Sequence, residues 1–285
     1  MFQKKSNKIG ILELGGTINC IVDNPTSEFY ESSYSSIKDM VEFLSKENDI
    51  EIDILNFLKV ISHELTMTDL VEIAHKIQSL IDRHIYSGII VTIGTNALED
   101  VAYFVSLVIH TPIPIVFTGA HFPQKSLSFD GEKNLYNALQ IANSQEAIGL
   151  GVLVSFYDYV VSAREAVKSP CGLPTNFADN GLGIIGYVVG GKFILRSKPI
   201  YPNTILNNFK VDKLNHLPRV VVIYGHIGIE NIFVEAAINN HVAGIISAGF
   251  GKGYQPKSVT SSLKKAVEQG ITVVRCSRSG FGLFQ

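Results

Sequence analysis

The chain has no tryptophan, and its 285 residues include only three cysteines and three methionines. Cys20, Cys171 and Cys276 stand far apart, and no CxxC pair occurs. That spacing argues against a disulfide scaffold or a cysteine-ligated metal cluster, and it points to a reducing compartment. An excess of one charge is also missing. Twenty-four basic residues oppose 26 acidic ones, for a formal net charge of -2. Such a balance carries no electrostatic footprint for nucleic acid or an anionic membrane. No apolar run is long enough to span a bilayer, and no apolar signal core follows the basic opening MFQKKSNK. These absences lead to the expectation of a cytoplasmic, soluble protein with no nucleic-acid and no membrane partner.

Apolar sequence is what the chain has in quantity: 46% hydrophobic residues against 18% charged, which favours a packed globular fold over disorder. The length suits one large domain or two modest ones. Apolar runs at 9–14, 50–55, 88–93, 113–118 and 151–155 read as strands. Stretches at 37–46, 67–83, 97–108 and 131–143 read as helices. Apolar strands separated by helices predict a parallel sheet covered on both faces. In MTDLVEIAHKIQSLI, residues Leu70, Ile73, Ala74, Ile77, Leu80 and Ile81 fall on one helical face, with Thr68 as the expected N-cap.

After Phe193 the sequence turns rich in Pro, Asn and Lys and loses its periodicity. Residues 194–213 therefore read as a linker. A smaller αβ repeat follows over 214–285, with strands in RVVVIYG, VAGIIS and ITVVRC and helices at 230–239 and 257–269. The expected division is 1–193, a linker, and 214–285.

Several strands of the first domain end in glycine with a hydroxyl close by: LGGT at 14–17, IGTN at 93–96 and TGAH at 118–121. In an open parallel sheet, ligands collect at the carboxyl ends of the strands. Glycine there lets backbone approach a ligand closely. No GxGxxG follows the first strand and no GxxxxGK[ST] occurs, so a phosphate site finds little support.

Six segments carry a further signal: ILELGGTI, VTIGTNALEDVAYF, PIVFTGAHFP, DGEKNLYNAL, AREAVKS and VVRCSRSGFG. In these segments, which cover nearly the whole chain in order, the sequence resembles the bacterial-type L-asparaginase/glutaminase family. The resemblance implies an α/β fold with a larger parallel-sheet N-terminal domain and a smaller α/β C-terminal domain. It implies an amidohydrolase that cleaves a side-chain carboxamide through a threonine acyl-enzyme and releases ammonia, with no cofactor and no metal. It also implies a homodimer or homotetramer.

Residue by residue, Thr17 matches the family nucleophile and Tyr30 the tyrosine that partners it. Thr95 and Lys168 match the second cluster, in which a lysine accepts a proton. Such a lysine must be kept partly neutral. Ser62 matches a serine that binds the substrate carboxylate. Gly16, Gly94 and Asn96 join the substrate-binding set, with backbone N–H groups at 94–96 as oxyanion donors. Ala120 matches a position whose carbonyl holds the scissile amide nitrogen.

The sequence also departs from the family. Asn96 stands where the family has an aspartate, and His63 where it has glutamine. Lys252 and Tyr254 replace the usual residues of a glycine-rich segment, and the chain stops at Gln285, where family members continue. These are the groups that recognise a free α-ammonium. The expected substrate is therefore asparagine or an asparagine derivative, N-acylated or otherwise lacking that ammonium. Two other readings stand beside this one: an ammonia-releasing amidotransferase subunit, and a non-catalytic binding protein. Glu13 is expected either beside Thr17 or on the other side of the sheet. His63, counted with the substrate-binding set, and His121 are both expected near the rim, where either could bind a substrate carboxylate or assist proton transfer, a packed structural histidine being the favoured reading for His121; His226 is expected to be structural.

Overall fold

The computed structural model describes residues 7–26, 35–168, 177, 183–199 and 209–279. The chain divides into two compact units, Met1–Asn215 and His216–Gln285.

The first unit is built on an eight-stranded sheet. Its strands are β1 (Lys8–Glu13), β2 (Glu51–Asn56), β3 (Gly88–Thr92), β4 (Ile115–Thr118), β5 (Val152–Phe156), β6 (Tyr159–Ser162), β7 (Ile184–Val189) and β8 (Lys192–Leu195). They lie in the order β2-β1-β3-β4-β5-β6-β7-β8. The first five run parallel, as the alternation of strands and helices predicted. The last three pair antiparallel, so the sheet is mixed rather than parallel throughout. The sequence held a signal for this: Gly190-Gly191 between the apolar runs of β7 and β8. Both glycines have positive φ, 56° and 73°, as a two-residue hairpin turn requires.

Helices α1 (Lys38–Asn48) and α4 (Gly131–Ala142) cover one face. Helices α2 (Met67–Ile81) and α3 (Leu98–Val108) cover the other. Every residue of β3 is buried because both faces are covered. Helix α2 buries Val71, Ile73, Ala74, Ile77 and Leu80, while Leu70 and Ile81 lie at the margin of the stripe. Its N-cap is Thr66, not Thr68. The Thr66 side chain accepts from the Asp69 N–H, and the Asp69 carboxylate accepts from the Thr66 N–H. That reciprocal box fixes the start of the helix at Met67 and leaves Thr68 inside it.

Two described parts of the stretch 194–213, read as a linker, are structured. Strand β8 runs to Leu195, and Val211, in a short turn at Val211–Lys213, is buried in the core beside α2 and α3. In the second unit, strands β9 (Val220–Tyr224), β10 (Gly244–Gly249) and β11 (Thr272–Ser277) form a parallel sheet in the order β11-β10-β9. Helices α5 (Ile232–Asn239) and α6 (Lys257–Glu268) pack on it through Val234, Ile238, Val259 and Ala266.

The order of β2, β1 and β3 matters for the site. From β1 the chain goes first to one neighbour and then crosses to the other. The connections therefore diverge at the carboxyl ends of β1 and β3, where such sheets open a crevice.

The α2 cap gives a direct check. Thr66→Ala is expected to cost about 1 kcal/mol of stability, and Thr68→Ala much less. Urea unfolding of the two variants measures the difference.

Candidate active site

Thr17 and Thr95 follow the tips of β1 and β3, each directly after a glycine. Gly16 and Gly94 touch through their backbones. A Cβ on Gly16 would lie 2.3 Å from the Gly94 nitrogen, and Gly16 holds φ at 94°. A Cβ on Gly94 would lie 2.6 Å from Ser62 Oγ and 3.4 Å from Gly16 Cα. Two side-chain-free positions thus let three chain segments converge: the ends of β1 and β3, and the turn Ser62–Glu64 that follows β2. Thr17 is half-buried, while Thr95 and Ser62 are buried.

Lys168 reaches the same tip. Its Nζ donates to Thr95 Oγ1 at 2.8 Å and to Asn96 Oδ1 at 2.7 Å. Its backbone N–H donates to the carboxylate of Glu99, on the first turn of α3. Burial pushes the Glu99 carboxyl up, against the lowering pull of the Lys168 N–H. The other end of the Asn96 carboxamide faces His63, with Nδ2 and Nδ1 3.4 Å apart. Asn96 and His63 are both exposed.

The tip of β4 closes the row. A Cβ on Gly119 would meet the Ile93 carbonyl oxygen at 2.4 Å, so this tip also abuts the end of β3. Ala120 is buried. Asp130 shapes the turn by accepting from the N–H groups of His121 and Phe122. Asn134 donates to the Gly119 carbonyl and to Asp130. His121 is largely buried, stacks on Tyr157 and meets Phe156 edge to face. Its surroundings are those of a packed histidine.

The structure therefore brings Gly16, Thr17, Ser62, Gly94, Thr95, Asn96 and Lys168 to one rim, with His63 at its edge and Ala120 next along it. Tyr30 lies outside the described residues. Glu13 is not at the rim. It shares the β1 face of Ile9 and Ile11, where it is buried and hydrogen-bonded to Asn19. Lys252 and Tyr254 belong to the second unit. Three supporting residues gave no readable sign of their roles: Glu99, Asp130 and Gln124. Gln124 Nε2 donates to the Ile18 carbonyl beside Thr17 at 2.8 Å. Asp130 and Asn134 fall in the quoted DGEKNLYNAL segment, but nothing in one sequence says that they hold a turn. Among the described residues no group of three or more His, Cys, Asp or Glu side chains is placed to hold a metal ion.

Known proteins match this chain closely. Residues 8–201 match the family model for the asparaginase N-terminal domain, and 219–285 the glutaminase/asparaginase C-terminal domain. L-asparaginase 2 of Bacillus subtilis is 31% identical over 283 residues, covering 99% of this chain and 75% of that protein. A glutaminase-asparaginase of Pseudomonas aeruginosa is 31% identical over 287 residues, covering 99% and 78%. The crystal structure of a probable cytoplasmic L-asparaginase from Campylobacter jejuni superposes with a TM-score of 0.91 at 30% identity, covering 98% of this chain and 86% of that one.

The backbone contact between the two tips predicts a cost for any side chain there. Gly16→Ala combines positive φ with a backbone clash and is expected to destabilise by about 2–4 kcal/mol. The midpoint of urea unfolding, followed at an unchanged slope, checks this.

Proposed function

The chain belongs to the asparaginase family and is an amidohydrolase that releases ammonia from carboxamides, and from that premise we propose that Thr17 is the nucleophile and that the substrate is an asparagine derivative without a free α-ammonium. The observation that carries this reading is the Lys168 Nζ, held between Thr95 Oγ1 and the neutral oxygen of Asn96.

The chemistry follows in two displacements. The Thr17 hydroxyl oxygen attacks the carboxamide carbon and loses its proton as it does so. Tyr30 is the proposed partner for that proton, on the family resemblance alone. Negative charge develops on the carbonyl oxygen, and N–H groups at 94–96 are the proposed donors to it. The tetrahedral intermediate collapses, the nitrogen takes a proton, and ammonia leaves. Thr17 now carries an ester. Water then attacks the ester carbon, giving its proton through Thr95 to neutral Lys168. Collapse breaks the bond to Thr17 and releases the carboxylic acid. The Lys168 proton returns to the Thr17 oxygen, and the site is reset.

The reading requires a neutral amine on Lys168. Its Nζ donates to two uncharged oxygens, those of Thr95 and Asn96, where an aspartate at 96 would favour the charged form more strongly. The Glu99 carboxylate takes the Lys168 backbone N–H and also interacts with the lysine charge. The uncharged Asn96 bears on the substrate as well. A desolvated ammonium needs a charged or fully hydrogen-bonded partner. Asn96 offers one oxygen, already used by Lys168, and an NH₂ that can only donate. An acylated amine, or a hydrogen in its place, meets no such demand. Ser62, buried against Gly94, is the proposed partner of the substrate carboxylate.

We assign the protein to the cytoplasm, since Cys20 and Cys276 are free thiols. We also expect a homodimer or homotetramer. In the second unit Val222, Tyr224, Ile227 and Phe233 leave apolar surface exposed, as a subunit contact would use. Sedimentation analysis reads the assembly directly.

Substrate preference is decided by measuring ammonia release from asparagine and from N-acetyl-asparagine. The derivative is expected to have the higher kcat/KM, and Thr17→Ala to abolish release from both. Asn96→Asp is expected to shift the ratio towards free asparagine by roughly tenfold to a hundredfold, the value of one hydrogen bond to a charged group. A wild-type preference for free asparagine would reject the substrate assignment and leave the nucleophile standing.

A further inference from the structure

Glu13 is a fully buried carboxyl that the reaction above does not use. It is 1% exposed, and its partner Asn19 is 0% exposed. The main chain at Glu13 is fixed: its carbonyl accepts from the N–H groups of Phe57 and Leu58. The side chain reaches past the Gly15-Gly16 bend to the turn Thr17–Asn19, where the Asn19 carboxamide donates to Glu13 Oε1.

Counting donors and acceptors in this pocket gives an imbalance. Asn19 Nδ2 has two hydrogens. One goes to Glu13 Oε1 and the other to the Ser35 carbonyl at 3.0 Å. Both partners are acceptors, so the amide cannot be turned around without setting oxygen against oxygen. The Ile37 backbone N–H also acts on the Glu13 carboxyl, yet Glu13 Oε2 and Asn19 Oδ1 are each left buried with no hydrogen-bond partner. Both are acceptors if Glu13 is ionised. The Thr92 hydroxyl, beside Glu13 in the β1–β3 register, is buried and bonds to neither. A single proton on Glu13 Oε2 would satisfy both orphaned oxygens, by donating to Asn19 Oδ1.

We propose that Glu13 keeps its proton in the folded protein and pairs with Asn19 as carboxylic acid to carboxamide, two hydrogen bonds in one ring, and that this pair positions the turn presenting Thr17. Its functional half rests on the reading of Thr17 as nucleophile. Asn19 is the last residue of that turn, and its N–H donates to the Gly16 carbonyl at 2.9 Å. From the other side, Gln124 holds the Ile18 carbonyl. Thr17 is thus set between two side-chain clamps. Glu13 is a positioning residue, since it touches Asn19 and not the reacting atoms.

Electrostatics agree with the geometry. Burial raises the Glu13 carboxyl, and outweighs the Asn19 amide, the positive charge of Lys59 and the Ile37 backbone N–H, which all pull it down. The pH dependence follows in sign. The unfolded chain releases this proton near the ordinary value of 4.5, while the folded chain retains it to higher pH. Stability from this group is complete below the unfolded value, and is lost as pH rises through the folded one. Above that point a carboxylate faces the Asn19 oxygen, and the turn loosens.

Two variants of the full chain test the pair. Glu13→Gln keeps both hydrogen bonds with no titrating proton, and Glu13→Ala removes both. Infrared difference spectra, wild type minus Glu13→Gln at neutral pH, are expected to contain the carbonyl stretch of a protonated carboxylic acid. Thermal midpoints are expected to fall with rising pH in the wild type and less steeply in Glu13→Gln. Ammonia release by Glu13→Gln should stay within about twofold of wild type, while Glu13→Ala should lose on the order of tenfold to a hundredfold in kcat with little change in KM. Carboxylate bands in place of the acid band, or Glu13→Gln falling as far as Glu13→Ala, would overturn the proposal. An acid band with full kcat in Glu13→Ala would overturn the positioning role. An active Thr17→Ala would instead reject the nucleophile and leave the acid band untouched.

Discussion

The backbone contact between Gly16 and Gly94 is the constraint on which the rim depends. Neighbouring parallel strands normally carry side chains past their ends, and those side chains hold the tips apart. Here two residues without Cβ atoms meet, and each is followed at once by a threonine. The contact joins the tips of β1 and β3, which the topology already makes the place where connections diverge. Ser62, arriving from the turn after β2, packs against the same glycine. A Cβ on Gly16 would displace the backbone of Ile93 and Gly94, and one on Gly94 would drive into the buried Ser62 side chain.

Around that contact the acidic groups bind main-chain N–H groups or carboxamides. Glu99 engages the main chain of Lys168, and Asp130 is taken up by the turn after β4. Glu13 lies on the face of β1 that carries Ile9 and Ile11, bound to Asn19. Each carboxyl is placed where it orders a loop. The Lys168 Nζ donates to a hydroxyl and a carboxamide, both uncharged. On the proposed reading this links the departure at Asn96 to the lysine chemistry: an uncharged residue there gives a substrate ammonium no anionic partner and favours the protonated lysine less than an aspartate would.

Much of this was legible in one dimension. The five parallel strands and the four helices over them stand out because apolar runs and 3.6-residue periods are local properties. The hydroxyl-bearing tips were readable as glycine followed by threonine, and the six quoted segments identified their family. Other features were misread where the signal was short or shared. Thr68 is the cap expected from the sequence, and the reciprocal bond with Asp69 puts the cap at Thr66 instead. Strands β6 to β8 are absent from the sequence reading, which passes over the Gly190-Gly191 turn, because no helical stretch separates them. Leu195 and Val211 fell into a supposed linker because a residue's burial depends on distant partners.

By itself, the sequence determined which residue types stand at the strand ends and which charge is missing at position 96. Those are matters of identity and spacing, and folding does not alter them. Only the tertiary structure decided that Lys168, seventy-two positions from Asn96, spans Asn96 and Thr95. Only it placed Glu13 on Asn19 and away from the rim. The physical reason is that hydrogen bonds and burial act between side chains brought together by chain crossovers, and the partners in those contacts are set by where the strands pair in space.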